Sequence, residues 1–408
     1  MLGMGLSGQA AAKLAQARGD QVTTFDASAK ADRADFAEAD LAAVEQILIS
    51  PGFAAEHPWR QRAHASGIPC VSEIEYAAEN WRGKIYGVTG TNGKTSLTEL
   101  LTAAFCEVGV NAFACGNIGV PLSEIVNSAR NKPEAIAICE LSSFQAELCE
   151  ELELDGLLWT NFAPDHLDRY DTLNEYFKAK WRLTDCLKAG APFFYGVELS
   201  EFLRTYAVKA EGSSVKADVI DSFDLPMDSP FRHLPQRANL ALAQAFWVEL
   251  GMDTAALHRA AGAFKVPAYR LEVVAQRAGV TFWNDSKATN FHAVKAALDA
   301  VSQGKIIWIG GGRAKGSKPA DLVAALSGRI TEACVFGECA PALSAALDAC
   351  GIPHYKGEDC EDAIRHAARL AQANTPAHVL FSPGFASFDA FASYTERGKY
   401  FNSIVFSL

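Results

Sequence analysis

No run of basic residues interrupts this 408-residue chain, in which 37 Lys and Arg face 48 Asp and Glu for a net charge of −11. That balance makes nucleic acid and anionic membrane surfaces poor partners. No apolar stretch of about 18 residues or more occurs, and no signal-peptide pattern is visible, so neither membrane insertion nor export by that route is expected. The ten cysteines stand singly, without a C-x-x-C pair or zinc-ligand spacing. Several, such as Cys139 and Cys334, fall inside apolar strand-like runs, which fits reduced, buried thiols in the cytoplasm. Internal repeats and low-complexity tracts are also missing. What is present is a globular composition, 49% hydrophobic and 21% charged, spread over a chain too long for one core.

Helix and strand patterns alternate, which predicts α/β architecture with parallel sheets. The chain opens on Gly3-Met4-Gly5-Leu6-Ser7-Gly8, then a helical stretch Gln9–Arg18, an extended Gln21–Phe25 ending at Asp26, and a strand Gln46–Ser50. A glycine turn of this kind normally follows a full strand; only Met1-Leu2 precedes it, so either the natural start lies upstream of Met1, which is the favoured expectation, or the first strand is unusually short. A second segment begins near Gly83 with the strand Ile85–Thr89, and Leu97, Leu100, Leu101, Ala104, Phe105 and Val108 then recur at helical spacing. Strands Ala135–Cys139 and Leu157–Thr160 follow; the stretch from Pro192 to Pro235 is irregular. A third segment, from about Pro267, carries strands Val280–Asn284, Lys305–Ile309, Ala333–Phe336 and His378–Phe381, the pattern of another doubly wound sheet. The expected division is 1–82, 83–267 and 268–408.

The strongest chemical signal is Gly90-Thr91-Asn92-Gly93-Lys94-Thr95, followed by Ser96, between a strand and an amphipathic helix. Glycines let backbone N–H groups close around phosphates, and the helix N-terminus adds favourable partial charge. Lys94 would neutralise the β/γ-phosphates of ATP and Thr95 would offer its hydroxyl to Mg²⁺. Val88 stands where the strict motif has glycine, so the loop is a variant. Glu140 ends the next strand, in Glu-Leu-Ser-Ser-Phe-Gln, and His166 lies past the following one, in Asp-His-Leu-Asp-Arg-Tyr. Strand C-termini share one edge in a parallel sheet, so these residues are expected to converge, Glu140 suiting Mg²⁺ and His166 a second ion or the substrate. The plainer alternatives are a helix cap for Glu140 and an ordinary loop position for His166. In the third segment, Asn284-Asp285-Ser286-Lys287-Ala288-Thr289-Asn290, Gly310–Gly316 and Ser382–Ser387 follow three strands and resemble half of a cleft, although Asp285 and Ser286 also suit N-caps.

Together these residues resemble the Mur ligases of bacterial cell-wall synthesis, over nearly the whole chain. Gly-Thr-Asn-Gly-Lys-Thr is the phosphate loop of that superfamily, which also includes folylpolyglutamate synthetases. Asn284–Asn290, Glu-Leu-Ser-Ser-Phe-Gln, Asp-His-Leu-Asp-Arg-Tyr and Ser-Pro-Gly-Phe-Ala-Ser-Phe-Asp are similar to the branch that adds D-glutamate to UDP-N-acetylmuramoyl-L-alanine. The resemblance implies an N-terminal Rossmann-like domain for the UDP-sugar, a central P-loop ATPase-like domain, and a C-terminal Rossmann-like domain for the amino acid. It implies an ATP-dependent ligase, acting as a monomer, whose acyl phosphate is attacked by the glutamate amine. Thr95 and Glu140 would hold one Mg²⁺; His166 and Lys180, the latter carbamylated, would hold a second. Asn239 and Arg270 would contact adenine and phosphate, and Asp285 the ribose. Lys287, Thr289, Lys315, Ser387 and Tyr394 would bind glutamate, and Ser7, Asp26 and Asn117 the UDP-sugar. Without the resemblance, Lys180 reads as a solvated helix lysine.

Three departures from the family pattern stand out. Pro235-Gln236-Arg237-Ala238-Asn239 retains only the second asparagine of an expected His-Asn-x-x-Asn, Arg313-Ala314 replaces smaller or acidic residues, and the segment between Gly190 and Pro235 is short. L-glutamate or another amino acid therefore stays open as the added group. Two further alternatives are of other classes. Gly3-x-Gly5-x-x-Gly8 with Asp26 also fits the dinucleotide fingerprint of a nicotinamide-dependent oxidoreductase, and the phosphate loop alone would fit a non-catalytic nucleotide sensor.

Overall fold

The computed structural model describes residues 1–27, 30–219, 225–227, 229–301, 304–314, 316 and 318–408. They form two compact units: Met1–Phe162, Asn174–Arg232 and Gln236–Phe264 in the first, Ala163–Leu173, His233–Pro235 and Lys265–Leu408 in the second.

The first unit opens with a small parallel arrangement in which Leu2 bridges both Phe25 and Ile49, and Ile47–Ile49 pairs with Cys70–Ser72. Of the expected extended run Gln21–Phe25, only Phe25 joins a ladder. Gly3, at φ +85°, turns away directly after Leu2, which limits what can pair. A Cβ on Gly8 would lie 1.9 Å from the Gly3 carbonyl oxygen, so the turn and the helix Leu6–Ala17 approach this closely only with glycine there.

The main sheet of this unit has six strands in the order Ala112–Gly116, Ile136–Glu140, Lys84–Thr89, Gly156–Trp159, Phe193–Gly196 and Ser213–Val215, all parallel. Ile136–Glu140 is buried throughout, as a strand covered on both faces must be. The helix Lys94–Glu107 lays Leu97, Leu100, Leu101 and Phe105 on Tyr86, Val88, Ile138 and Leu158. Val108, expected on that face, caps the helix and is 41% exposed because the helix ends one residue earlier. From Lys84–Thr89 the chain runs to one side of the sheet and then returns to the other, so the loop after this strand sits where the winding reverses.

Among the described residues, the second unit holds six strands ordered His354–Lys356, Glu332–Phe336, Lys305–Gly311, Ala377–Gly384, Val280–Asn284 and Glu272–Arg277. Helices Cys360–Ala373 and Tyr394–Ser407 cover one face around Ile307, Val379 and Phe381; Phe291–Ala300, Pro319–Leu326 and Ala340–Ala349 cover the other around Trp308 and Leu380. This is the expected doubly wound sheet with one addition. Glu272–Arg277 runs antiparallel at the edge, because Ala278 and Gly279 both take positive φ and close a two-residue hairpin onto Val280.

Cys139 and Cys334 are buried as expected, and all ten cysteines are free. Among the described residues no helix is long and apolar enough to cross a membrane.

Candidate active site

The loop after Lys84–Thr89 is shaped by two left-handed glycines, Gly90 at φ +138° and Gly93 at φ +84°, the latter leading into the helix. A Cβ on Gly90 would meet Thr160 Oγ1 at 2.0 Å, and one on Gly93 would meet Asn239 Nδ2 at 2.8 Å. The end of the neighbouring strand holds the loop in place. Thr160 Oγ1 and Asn161 Nδ2 donate to the Asn92 carbonyl at 2.6 and 3.0 Å, while the Asn92 and Thr91 N–H groups donate to Asn161 Oδ1 and Asn161 O at 3.0 Å each. Lys94 Nζ donates to the Gly90 and Thr91 carbonyls, both at 2.9 Å, folding its charge over the loop. The Ser96 hydroxyl is buried and meets no partner. Asn239, 3% exposed, donates from Nδ2 to Gln236 Oε1 at 2.9 Å and lies 3.5 Å from the Gly93 carbonyl, so it borders the loop's helical end.

Glu140 ends its strand in register with Val88, two residues before the loop begins, and it caps no helix. It is 2% exposed; Oε1 accepts from Asn117 Nδ2 at 3.0 Å, whereas Oε2 is buried without a hydrogen-bond partner. Lys180 overturns its reading as a solvated helix lysine. On the helix Leu173–Asp185 it is 1% exposed, its Nζ donates to the Gly90 carbonyl at 2.9 Å, and it stands 5.0 Å from the Tyr176 ring centroid. The fourfold spacing of Tyr176 and Lys180 puts both on the inward face, where the Tyr176 hydroxyl lies 3.3 Å from Thr91 Oγ1.

Near the N-terminus, Asp26 Oδ2 accepts from the Met4 N–H at 2.6 Å, so this carboxylate closes the glycine turn that leads into the helix on which Ser7 is the second residue.

His166 belongs to the second unit, at φ +55°. In the same unit Asp285 is 8% exposed and caps no helix; that role falls to Asn290. Its carboxylate accepts from Leu271 N at 3.2 Å and Ser382 Oγ at 2.7 Å, and burial pushes its pKa up to about 7 despite those bonds and the charges of Arg270 and Arg397. Arg270 is flanked by two left-handed residues, Tyr269 at φ +65° and Leu271 at φ +52°. Lys287 and Thr289 are half-buried, with the Lys287 ammonium 4.0 Å from the Tyr394 ring centroid, and Ser387 is 2% exposed. Lys315 lies outside the described residues.

One residue that sequence reasoning missed joins the three loops of this unit. Arg397 is fully buried and donates to Ser286 Oγ at 3.1 Å, Ser286 O at 2.8 Å and Phe385 O at 3.0 Å, with Gly311 O at 3.5 Å. Burial lowers its pKa to about 10, so it stays charged at neutral pH.

The comparisons with known proteins agree on the kinship. The Mur ligase middle-domain model matches residues 88–217, and that of the Mur ligase glutamate ligase domain matches 269–385. A UDP-N-acetylmuramoylalanine–D-glutamate ligase of Protochlamydia amoebophila is 30% identical, covering 99% of this chain and 97% of its own. The chain belongs to the Mur ligase family. Proteins of the same name from Chlamydia pneumoniae and a Synechococcus strain are each 34% identical, the first covering 89% of this chain and 84% of its own, the second 99% and 97%. Among solved structures, MurF from Acinetobacter baumannii superposes with a TM-score of 0.64 at 16% identity, covering 89% and 90% of the two chains. UDP-N-acetylmuramate-alanine ligase from Thermotoga maritima gives 0.60 at 15%, covering 100% and 98%; at such identities both comparisons speak to the Mur ligase fold alone.

The donor set fits a divalent ion of the kind that travels with nucleotide phosphates. Among the described residues no three His, Cys, Asp or Glu side chains gather into a cage, while Glu140 keeps one buried carboxylate oxygen open beside the phosphate loop. Mg²⁺ is typically bound by one or two carboxylates, with phosphate oxygens and water completing its shell.

Proposed function

We propose that this Mur ligase couples ATP cleavage to joining D-glutamate to the alanyl carboxylate of UDP-N-acetylmuramoyl-L-alanine, in the cytoplasm and as a monomer. ATP use follows from the family; the sugar nucleotide and D-glutamate come from the names of the relatives. The observation that carries the catalytic part is the burial of two groups of opposite charge, Glu140 and Lys180, at the edge of one phosphate loop. Burying charge is costly, and a loop that only held a nucleotide would gain nothing from it.

In this reading residues 1–82 take the UDP-sugar, 83–267 ATP and 268–408 the amino acid. Backbone N–H groups of Gly90–Ser96 receive the phosphates, and Lys94 exchanges two carbonyls for phosphate oxygens as the γ-phosphoryl moves to the carboxylate. Asn239 and Arg270 serve adenine and phosphate, and Asp285 the ribose. Ser7, Asp26 and Asn117 serve the UDP-sugar, while Lys287, Thr289, Lys315, Ser387 and Tyr394 hold the glutamate so that its amine meets the acyl phosphate. Two Mg²⁺ ions, held by Thr95 with Glu140 and by His166 with a carbamylated Lys180, would neutralise phosphate charge. Carbamylation would convert the Lys180 terminus from a donor to Gly90 O into an anionic oxygen ligand.

Purified protein incubated with ATP, Mg²⁺ and UDP-N-acetylmuramoyl-L-alanine, with D- and L-amino acids offered separately, tests this by product mass. One added D-glutamyl unit with stoichiometric phosphate release is expected. Preference for L-glutamate would move the reading to a different acceptor specificity, and phosphate retention with every amino acid would overturn it.

A further inference from the structure

Asp165 and Asn290 are far apart in the chain, each 6% exposed, and joined by a direct bond: Asn290 Nδ2 donates to Asp165 Oδ2 at 3.0 Å. A buried carboxylate needs donors, and this one uses both oxygens. Asp165 Oδ1 accepts from the His166 N–H at 2.9 Å, and Oδ2 lies 3.9 Å from His166 Nε2. His166 holds the left-handed φ that non-glycine residues rarely adopt, and its carbonyl accepts from Arg169 N and Tyr170 N at 3.0 and 3.1 Å. Asn290 is held from the other side. Its Oδ1 accepts from Ala293 N at 3.0 Å, capping the helix Phe291–Ala300, which leaves its amide N–H₂ aimed at the carboxylate. The polarity of this bond is therefore unambiguous. Gly316, at φ +75°, lies against the same turn; a Cβ there would stand 2.6 Å from the Leu167 carbonyl oxygen.

We propose that Asn290 is a positioning residue for His166: anchored at the start of its helix, directly after Lys287–Thr289, it holds Asp165 and through it the left-handed turn, so that the amino-acid segment and His166 are set as one piece. This rests on the reading that His166 serves the reaction, and the experiment separates the two. Asn290→Ser keeps a good helix cap but loses the amide donor; Asn290→Asp keeps the cap and sets a second carboxylate against Asp165. Combining Asp165→Asn with Asn290→Asp reverses the bond, donor for acceptor, while an amide oxygen still receives the His166 N–H. His166→Ala is the control.

Loss of one hydrogen bond to a buried charge should lower kcat by about tenfold or more in Asn290→Ser, with KM for ATP moving less than about twofold. In the same protein without substrates, hydrogen exchange of the amides at 166–170 should accelerate, while those of the helix Phe291–Ala300 keep their rates. Asn290→Asp should be slower still, and the reversed pair should recover most of the lost rate. A wild-type kcat and unchanged exchange in Asn290→Ser, alongside an inactive His166→Ala, would overturn the positioning role; so would a reversed pair no better than Asn290→Asp alone. A fully active His166→Ala would instead remove the reading of His166 on which the proposal stands.

Discussion

Asp285 makes a quantitative test of the second unit. Its pKa rises from 3.8 to about 7, chiefly because burial penalises the charged carboxylate, and the Ser382 and Leu271 hydrogen bonds with the charges of Arg270 and Arg397 do not offset this. The folded protein therefore keeps a proton at pH 5 to 6 that the unfolded chain has already released. With the folded pKa above the unfolded one, the group's stabilising contribution is complete below the unfolded pKa and disappears as pH rises through about 7. About three units at roughly 1.4 kcal/mol each make about 4 kcal/mol in full, of which roughly 2–3 kcal/mol falls between pH 5 and pH 8. Asp285→Asn is nearly isosteric: its oxygen accepts from Leu271 N, and its N–H₂ donates to a Ser382 hydroxyl that rotates to receive it. Denaturant unfolding followed by Trp283 and Trp308 fluorescence at both pH values, for wild type and variant, isolates the one group. Wild type should lose roughly 2–3 kcal/mol more than the variant between pH 5 and pH 8. Parallel pH dependence, or a wild type that gains stability towards pH 8 relative to the variant, would refute the assignment of a protonated, desolvated carboxyl.

Three other perturbations follow from the first unit. Lys94→Ala should reduce the phosphate-release rate on the order of a hundredfold, through lost stabilisation of the transferring phosphoryl group, and undiminished turnover would reject the loop assignment. Lys180→Ala should be inactive yet partly restored by formate or acetate occupying the place of the carbamate; full activity without either would show that the buried amine is structural only. Gly93→Ala forces a side chain onto φ +84° and against Asn239 Nδ2, at about 1–3 kcal/mol for the backbone alone, so a lower melting temperature and weaker ATP binding by calorimetry are expected together. An unshifted ATP affinity would dissociate Asn239 from the adenine site.

The elements legible in the sequence were those whose signal is local. The strand Val280–Asn284 is recovered residue for residue, and the helix after the phosphate loop begins at Lys94, within the motif. Short strands such as Cys70–Ser72 and Ser213–Val215 carry too few residues to show a period, and they are defined by their pairing, the first with Ile47–Ile49 and the second with Phe193–Gly196. The antiparallel strand Glu272–Arg277 is half exposed and mixed in composition; its one local cue was Ala278-Gly279, a glycine turn without asparagine or aspartate to mark it. Thr160 and Asn161, which clamp the phosphate loop, stood at the last position of an expected strand and directly after it, and their position at a parallel sheet's carboxyl edge was the available signal.

Buried cations were the hardest features to read, for a physical reason. In a sequence, a lysine or arginine inside a helix has one default environment, water, because desolvating its charge is expensive. What overturns the default is a set of carbonyl oxygens supplied by other parts of the chain, which no local pattern contains. Lys180 meets the Gly90 carbonyl across ninety positions, and Arg397 meets Ser286, Gly311 and Phe385, three loops with no sequence proximity to one another. Both loop systems were recognisable individually by their glycines and serines; their shared cation was not. The backbone carbonyls at such loops turn inward because left-handed glycines such as Gly90, Gly311 and Gly312 redirect them, so the same residues that make the loops visible in the sequence also create the acceptors that draw a charged side chain out of water.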